Sequence, residues 1–439
     1  MTELAGPVIA PIGADALLVF LVQLAVLLAA ARALGSIAGK LGMPSVVGEL
    51  LAGVILGPSV FGKVLPSVSG WLFPAIPEQQ HLIDAVGQVG VILLVGIAGM
   101  QLDPEQFRRR LGATMMISFF GLVIPLGLGV ALGFVAPIPM RPADTPIFVF
   151  ALFLGTALCV SAIPVIAKTL LELGIAHRKV GQFILAAGMF DDAVGWCLVS
   201  LVSALALHGS GPETLVIAVV GIGVLVVLAL LPGRILTRKL VLGVAESGNT
   251  TRLLALIVVL IFGSAALSHS LGLEAIFGAF LCGMMLVSGG LRPHHIAPLN
   301  TVVMSVLAPI FFATAGLRMD LSVLVTGPLL LITAAVVVTA VVGKFAGAFL
   351  GGMLGGLSRR ESFALGAGMN ARGVIEVIIA MIGLRMGIIG VEAYTALITV
   401  AVVTSMMAPP LLRWAMSGIP EEDEEEERAQ RYAAYEVKT

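Results

Sequence analysis

Apolar stretches of about 20 residues recur along this chain, and each is long enough to cross the roughly 30 Å hydrocarbon core of a bilayer as a helix. Only 12% of the residues are charged, whereas a soluble domain of this size needs roughly twice that fraction to cover its surface. We therefore predict an all-α integral membrane protein with about thirteen transmembrane helices, near residues 15–35, 44–60, 80–100, 111–136, 146–171, 179–207, 213–233, 252–271, 273–288, 296–317, 322–355, 360–384 and 391–415.

The connections between these segments differ in positive charge, and this difference predicts the orientation in the membrane. When the connections are assigned alternately to the two sides, sixteen Lys and Arg residues fall on the side of the first connection. The other side receives four, Lys63, Arg141, Arg318 and Arg385. Because positive charge collects in cytoplasmic loops, we expect an extracytoplasmic N-terminus (1–14), a transmembrane domain (15–415) and a disordered acidic cytosolic tail (416–439) in a protein of the cell's inner membrane.

An internal repeat links two distant parts of the chain. The stretch Gly96-Ile-Ala-Gly-Met-Gln-Leu-Asp103 recurs as Ala313-Thr-Ala-Gly-Leu-Arg-Met-Asp320, 217 residues later. The two copies end the third and the tenth predicted helix, and an odd helix offset places them in opposite orientations. The same offset carries the irregular segment 155–164 onto 372–381, next to a second irregular segment at 366–373. These features predict inverted-topology repeats with two crossing discontinuous helices, an arrangement typical of secondary transporters.

Charged residues in the middle of predicted spans are the strongest functional signal. Asp191 and Asp192 lie near the middle of the sixth span, and Lys344 is the lysine deepest inside a span. An aspartate at the bilayer centre costs roughly 2.5–3.5 kcal/mol on insertion scales, so such residues mark ion pathways. In one interpretation Lys344 pairs with one aspartate and the other binds a cation. In the alternative, Lys344 and one aspartate form a buried ion pair that only fixes helix packing, and the second aspartate is protonated.

The two irregular segments carry further polar candidates. Arg372 and Glu376 lie four residues apart and share a helix face, with Asn370 just before them; they either hold the broken helix together or serve the ion site. Thr156 and Ser161 offer oxygen ligands, which hard cations prefer, although such hydroxyls often bond back to their own backbone. Glu49 and Glu274, at the starts of the second and ninth spans, are interpreted as interfacial or capping residues.

The chain resembles the second branch of the monovalent cation/proton antiporter superfamily over nearly all of residues 15–415. The run Gly48-Glu-Leu-Leu-Ala-Gly-Val-Ile-Leu-Gly-Pro58 is similar to an early signature of that branch. Residues 156–171 and 370–376 resemble segments of plant cation/H+ exchangers and Kef-type proteins. The Asp191-Asp192 pair resembles the motif of electrogenic NapA-like Na+/H+ antiporters. Kef-type proteins generally replace the first aspartate and carry a cytosolic nucleotide-binding domain, and neither feature is expected here.

This resemblance implies an NhaA/NapA-like fold and a role for each charged residue. Asp192 would bind the cation and the proton, and Asp191 would form a salt bridge with Lys344 that changes when the ion binds. The resemblance also implies a homodimer in which a mobile core slides against fixed dimerisation helices. The core would comprise helices near 80–207 and 296–415, and the dimerisation helices would lie near 15–60 and 213–288.

We therefore predict a secondary active antiporter that exchanges Na+ or Li+ for protons by alternating access. The working hypothesis is that two protons are exchanged for each cation, because two carboxylates and one lysine can titrate. Such transport would be electrogenic. Electroneutral K+/H+ exchange, export of a larger cationic compound, and a channel or a transport-dead sensor are the alternatives. Beyond Na+ or K+, protons and membrane lipid, we expect no nucleic-acid partner and no cofactor. The absence of a nucleophile–histidine or metal-ligand pattern argues against an enzyme.

Overall fold

The protein is represented by a computed structural model that describes residues 12–100, 111–137, 140–209, 211–246, 248–291, 293–324, 327–421 and 425. Within this part the chain is helical and contains no strand. The helices are α1 (Ala14–Lys40), α2 (Ser45–Leu56), α3 (Phe61–Val64), α4 (Pro66–Leu72), α5 (Pro77–Met100), α6 (Leu111–Val135), α7 (Ile147–Cys159), α8 (Ile163–Glu172), α9 (Lys179–His208), α10 (Pro212–Leu228), α11 (Arg234–Glu246), α12 (Thr250–Ser270), α13 (Ala275–Ser288), α14 (Pro293–Val302), α15 (Ala308–Leu317), α16 (Leu321–Leu324), α17 (Gly327–Leu354), α18 (Arg359–Met369), α19 (Val374–Arg385) and α20 (Val391–Met416).

The predicted spans all coincide with helical chain. Ten helical stretches of the described residues are long and apolar enough to cross a membrane, and the bent pair α18–α19 makes eleven. The two remaining predicted segments correspond to the broken pair α7–α8 and to α13, which are built from shorter apolar helices. The all-helical membrane fold is thus confirmed, whereas the count of thirteen crossings stays a prediction. Helix α11 lies between two predicted spans and was not anticipated.

The helices pack in two groups. One group, which we call the bundle, consists of α6, α7, α8, α9, α17, α18, α19 and α20. The other, which we call the panel, consists of α1, α2, α5, α12, α13 and α15. Helices α5 and α15 were expected in the core set, but both pack mainly against panel helices. Which group moves, and whether the panel forms a dimer interface, stay predictions.

Glycine contacts allow the panel helices to approach closely. A Cβ atom on Gly53 of α2 would lie 1.9 Å from the Ala313 carbonyl oxygen, and one on Gly316 of α15 would lie 2.1 Å from the Leu50 carbonyl oxygen. No side chain fits at either position, so the α2 and α15 backbones meet directly. Close backbone contact between small residues is how helices associate where lipid removes the hydrophobic driving force.

The repeated segments run in opposite directions, as an inverted repeat requires. Helix α5 ends at Met100 and α15 at Leu317, which preserves the offset of 217 residues. Along their shared contact, Gly87 faces Phe311 and Gly90 faces Leu307, so the two helices are antiparallel. The constant offset fails further on, because the two helix breaks begin at Val160 and Asn370, 210 residues apart. The end of the first repeat copy, residues 101–103, lies outside the described residues.

The start of the acidic tail is held against the bundle. Glu425 forms a 2.9 Å ion pair with Arg178, and Glu421 lies 2.7 Å from the His177 ring, both at the connection between α8 and α9. The expectation of a disordered tail therefore does not hold for these two glutamates. Most of the rest of the tail, and residues 1–11 of the predicted extracytoplasmic segment, lie outside the described residues.

Candidate ion-binding site

Two broken helices cross inside the bundle. Helix α7 ends at Cys159 and α8 begins at Ile163, while α18 ends at Met369 and α19 begins at Val374. The two interruptions touch, because the Ala162 amide donates a 3.2 Å hydrogen bond to the Ala371 carbonyl. Pro164 has no amide hydrogen to continue a helix, and the backbone φ of +151° at Gly373 favours glycine. Local sequence therefore produces both breaks.

Asp191, on α9, is bound by Lys344 of α17. Both side chains are fully buried, and the Lys344 Nζ lies 2.5 Å from the Asp191 Oδ2. The ammonium also donates to the carbonyl oxygens of Cys159, at 2.6 Å, and of Gly121, at 3.0 Å. Its three N–H donors are therefore all used, so this lysine is held by three helices. The structure thus brings together the two residues that the family resemblance paired.

Asp192 has a different environment although it is the next residue. It is 1% exposed, and its Oδ1 has no hydrogen-bond partner among the described residues. Its carboxylate accepts from the backbone amide of Ile163, the first residue of α8. The partial positive charge at a helix N-terminus stabilises a nearby carboxylate. Asp192 is therefore a buried carboxylate at the crossing that is held by one amide and by no salt bridge with a described residue.

Two cations neutralise the C-terminal end of α7. Arg372 is fully buried and donates to the carbonyls of Leu158, at 2.5 Å, and Ala157, at 3.4 Å, while Lys344 binds that of Cys159. The guanidinium also donates to the Ala340 carbonyl at 3.0 Å. The exposed carbonyls of a helix end carry partial negative charge, which basic side chains stabilise. Arg372 thus connects the second broken helix to the first.

Glu376, one turn after Arg372, is its carboxylate neighbour. The Arg372 Nη1 and the Glu376 Oε1 are 3.5 Å apart. Glu376 is 1% exposed, and neither of its oxygens makes a hydrogen bond within the described part of the chain. Most donors of Arg372 point to backbone carbonyls instead, so the pair is looser than the one between Lys344 and Asp191.

The other predicted site residues line the two breaks. The Ser161 hydroxyl lies 2.9 Å from the Met369 carbonyl oxygen and 3.2 Å from the Asp191 Oδ2. The Asn370 amide group donates to the carbonyls of Gly366 and Val341. Thr156 is buried, and its hydroxyl donates to the Leu152 carbonyl one turn earlier at 2.8 Å. Its lone pairs stay available to a ligand.

Sequence reasoning missed several contributors to this site. The carbonyls of Gly121 and Cys159 bind Lys344, and the Ser405 hydroxyl donates to the Arg372 carbonyl at 2.5 Å. Carbonyl groups leave no trace in a sequence, and Ser405 stands in an apolar stretch of α20 like many serines that bond their own helix. No group of three or more His, Cys, Asp or Glu residues in the described chain could hold a metal ion.

Crossed broken helices, inverted repeats and buried carboxylates at the crossing define a secondary transporter. The chain belongs to the sodium/hydrogen exchanger family, whose transmembrane model matches residues 24–418; this is a family of transporters. The Na(+)/H(+) antiporter NhaS4 of Synechocystis is 30% identical over 405 residues, covering 91% of this chain and 97% of NhaS4.

Two further proteins are similar over most of their length. The Na(+)/H(+)-K(+) antiporter GerN of Bacillus cereus is 26% identical over 395 residues, with 90% of this chain and 96% of GerN covered. The structure of the sodium proton antiporter MjNhaP1 from Methanocaldococcus jannaschii matches 92% of this chain and 98% of MjNhaP1 with a TM-score of 0.69. At 16% identity, that likeness shows the fold, which agrees with the predicted NhaA/NapA-like class.

Proposed function

We propose that this protein is a secondary active monovalent cation/proton antiporter, and that Asp192 carries the exchanged ions. The observation that supports this most is the difference between two adjacent buried aspartates. Lys344 neutralises Asp191, whereas a single backbone amide holds Asp192. A buried carboxylate without a counter-ion needs a proton or a cation to stay in a low-dielectric interior. Asp192 therefore exchanges one for the other.

Alternating access turns this competition into coupled transport. The site faces each side of the membrane in turn and changes sides only when it is loaded, because moving an uncompensated carboxylate across the barrier is costly. The cation binds Asp192 together with the oxygens of Asp191, Ser161 and Thr156, and Lys344 holds Asp191 when the cation is absent. Arg372, Glu376 and Asn370 keep the two broken helices in register. No ATP is needed, since one ion gradient drives the other.

We propose that the transported cation is Na+ or Li+ and that two protons are exchanged for each cation. The two carboxylates and the lysine supply the groups that change charge in this exchange. Two protons exchanged for one monovalent cation move one net charge across the membrane, so the transport is electrogenic. We further propose a homodimer in the inner membrane, with the N-terminus outside and the C-terminus in the cytoplasm. The excess of basic residues in alternate connections supports this orientation.

A reconstitution experiment tests the function and the site together. The protein is placed in proteoliposomes with a pH-sensitive dye, and Na+, Li+ or K+ is added to the wild type, to Asp192→Asn and to Asp84→Asn. Asp84 pairs with Arg318 in the panel, so it controls for the loss of one aspartate. Cation-driven proton movement that is lost in Asp192→Asn and kept in Asp84→Asn supports the proposal. Equal activity of the wild type and Asp192→Asn would refute the site.

K+/H+ exchange is the second candidate, because GerN is named for both Na+ and K+ and the segments 156–171 and 370–376 resemble those of plant exchangers. The ranking of the three cations in the same liposomes decides between the candidates. Clamping the membrane potential then tests stoichiometry. A rate that depends on the potential indicates electrogenic exchange, and a rate that ignores it indicates electroneutral exchange.

A further inference from the structure

A second group of charged side chains lies away from the helix crossing, around Glu49. Glu49 is in the second turn of α2, it is 4% exposed, and its side chain passes over Gly35 of α1. The start of α2 has no side-chain cap hydrogen bond, so the capping interpretation of Glu49 is wrong, whereas the interfacial one stays a prediction. Two cationic side chains act on its carboxylate, Arg32 of α1 and Lys168 of α8, and the Ser45 hydroxyl bonds to it.

Glu49 lines a cavity of about 80 Å³ between the panel and the bundle. The polar side chains of its lining are Ser45, Glu49 and Lys168, and its other lining residues are apolar. The cavity reaches Val165 on α8 and Val374 at the start of α19. Val165 lies two residues beyond Ile163, whose amide binds Asp192. The cavity thus extends from Glu49 toward the crossing of the broken helices.

The opposite end of the molecule carries a matched arrangement. Glu274 immediately precedes α13 of the panel, and its side chain is 5% exposed. Arg385, the last residue of α19, holds Glu274 with contacts of 3.0 and 3.3 Å. Helix α19 is in turn the counterpart of α8, which carries Lys168. Each end therefore has a panel glutamate that faces a basic residue on the second half of a broken helix.

Charge explains why such a cavity needs a carboxylate. A cation that enters a narrow apolar cavity loses hydration, and the positive charges of Lys168 and Arg32 repel it as well. Glu49 offsets both effects, since a carboxylate attracts the entering cation and neutralises the lysine. A proton can occupy the same oxygens. Lys168 and the entering ion then compete for one carboxylate.

We propose that Glu49 is an access site that binds the monovalent cation or proton before it reaches Asp192, in competition with Lys168. This inference rests on the proposed antiport function. The site serves the face of the membrane at which α2 begins, because the cavity lies at that end of the helix. Glu49 is therefore a second ion-binding carboxylate, specific to one direction of approach.

The test compares the apparent KM for the cation on the two faces, in right-side-out and inverted vesicles that contain the full chain. A Leu41→Cys variant labelled with an impermeant maleimide identifies the face at which α2 begins, since Leu41 is exposed next to that end. We expect Glu49→Gln to raise the KM on that face roughly tenfold, which corresponds to about 1.4 kcal/mol of lost binding free energy. The KM on the other face stays unchanged.

A second variant should change the apparent KM in the opposite direction. Lys168→Gln removes the competitor and lowers the KM on the same face severalfold, and this readout remains decisive if Glu49→Gln does not fold. Glu274→Gln is the matched control, which leaves the KM on the Glu49 face unchanged. Equal KM changes on both faces, no change in Glu49→Gln, or a raised KM in Lys168→Gln would overturn the access site. A wild type without exchange would instead refute the proposed function.

Discussion

The two broken helices have similar backbones but very different charges. The C-terminal end of α7 is bound by two cations, Lys344 and Arg372. The corresponding end of α18 is bound by neutral groups, the Ser161 hydroxyl and the Asn370 side chain. The repeat therefore supplies a symmetric frame, and the two cations lie at the α7 end of it. Changing charges on the α7 side should have larger effects than changing neutral groups on the α18 side.

Loss of Lys344 should have the largest effect. Lys344→Gln leaves Asp191 buried without its cation, and breaking a buried ion pair in this way costs about 3–5 kcal/mol. We expect a large fall in the thermal stability of the protein in detergent and loss of cation-driven proton transport. The double variant Lys344→Gln/Asp191→Asn should regain most of the stability. A double variant as unstable as Lys344→Gln alone would contradict the assigned pairing.

Arg372 should rank second. Arg372→Met removes donors from the last turn of α7 and leaves Glu376 without its cationic neighbour. Hydrogen bonds to charged groups contribute about 1.5–3 kcal/mol. We therefore expect the free energy of unfolding to fall by about that amount, as measured by thermal melting in detergent. Adding Glu376→Gln should recover part of the loss. No recovery would mean that Arg372 acts only on the α7 carbonyls.

Asn370 tests the neutral side of the comparison. Asn370→Ala removes hydrogen bonds to Gly366 and Val341, and such bonds contribute about 0.5–1.5 kcal/mol each. Thr404→Val is a suitable control, because Thr404 is equally buried in the bundle and bonds only its own helix. Thermal melting of both variants in detergent compares the stability lost with the Asn370 hydrogen bonds with that lost with a hydroxyl that bonds only its own helix. A loss for Asn370→Ala as large as that for Lys344→Gln would show that the α18 end is not the weaker side.

Thr156 should give the smallest effect on stability and a separate effect on ion binding. Its hydroxyl bonds its own helix, so Thr156→Val should lower the unfolding free energy by only about 0.5–1 kcal/mol, the lower part of the range for one hydrogen bond. If its lone pairs contact the cation, the apparent KM rises severalfold in the liposome assay. Ser161→Ala gives the comparison at the break itself. An unchanged KM in Thr156→Val would remove this residue from the ligand set.

The sequence predicted a large part of the fold and some of the site. Long apolar segments show the helices directly, and aspartates inside such a segment stand out because they are costly there. The repeat at Gly96 and Ala313 was sufficient to predict opposite orientations. Its constant offset misplaced the breaks by seven residues, since the loops between corresponding helices differ in length.

The order of residues along the chain by itself determined that this is a helical membrane protein with ionisable groups inside its spans, because hydropathy and helix breaking are local properties. The tertiary structure alone decided which cation neutralises which carboxylate. Lys344 and Asp191 are 153 residues apart in sequence, and the carbonyls that complete the lysine's environment come from two further helices. It also decided that α5 and α15 pack in the panel and that Glu49 borders a cavity. These outcomes depend on helix packing, which no single segment encodes.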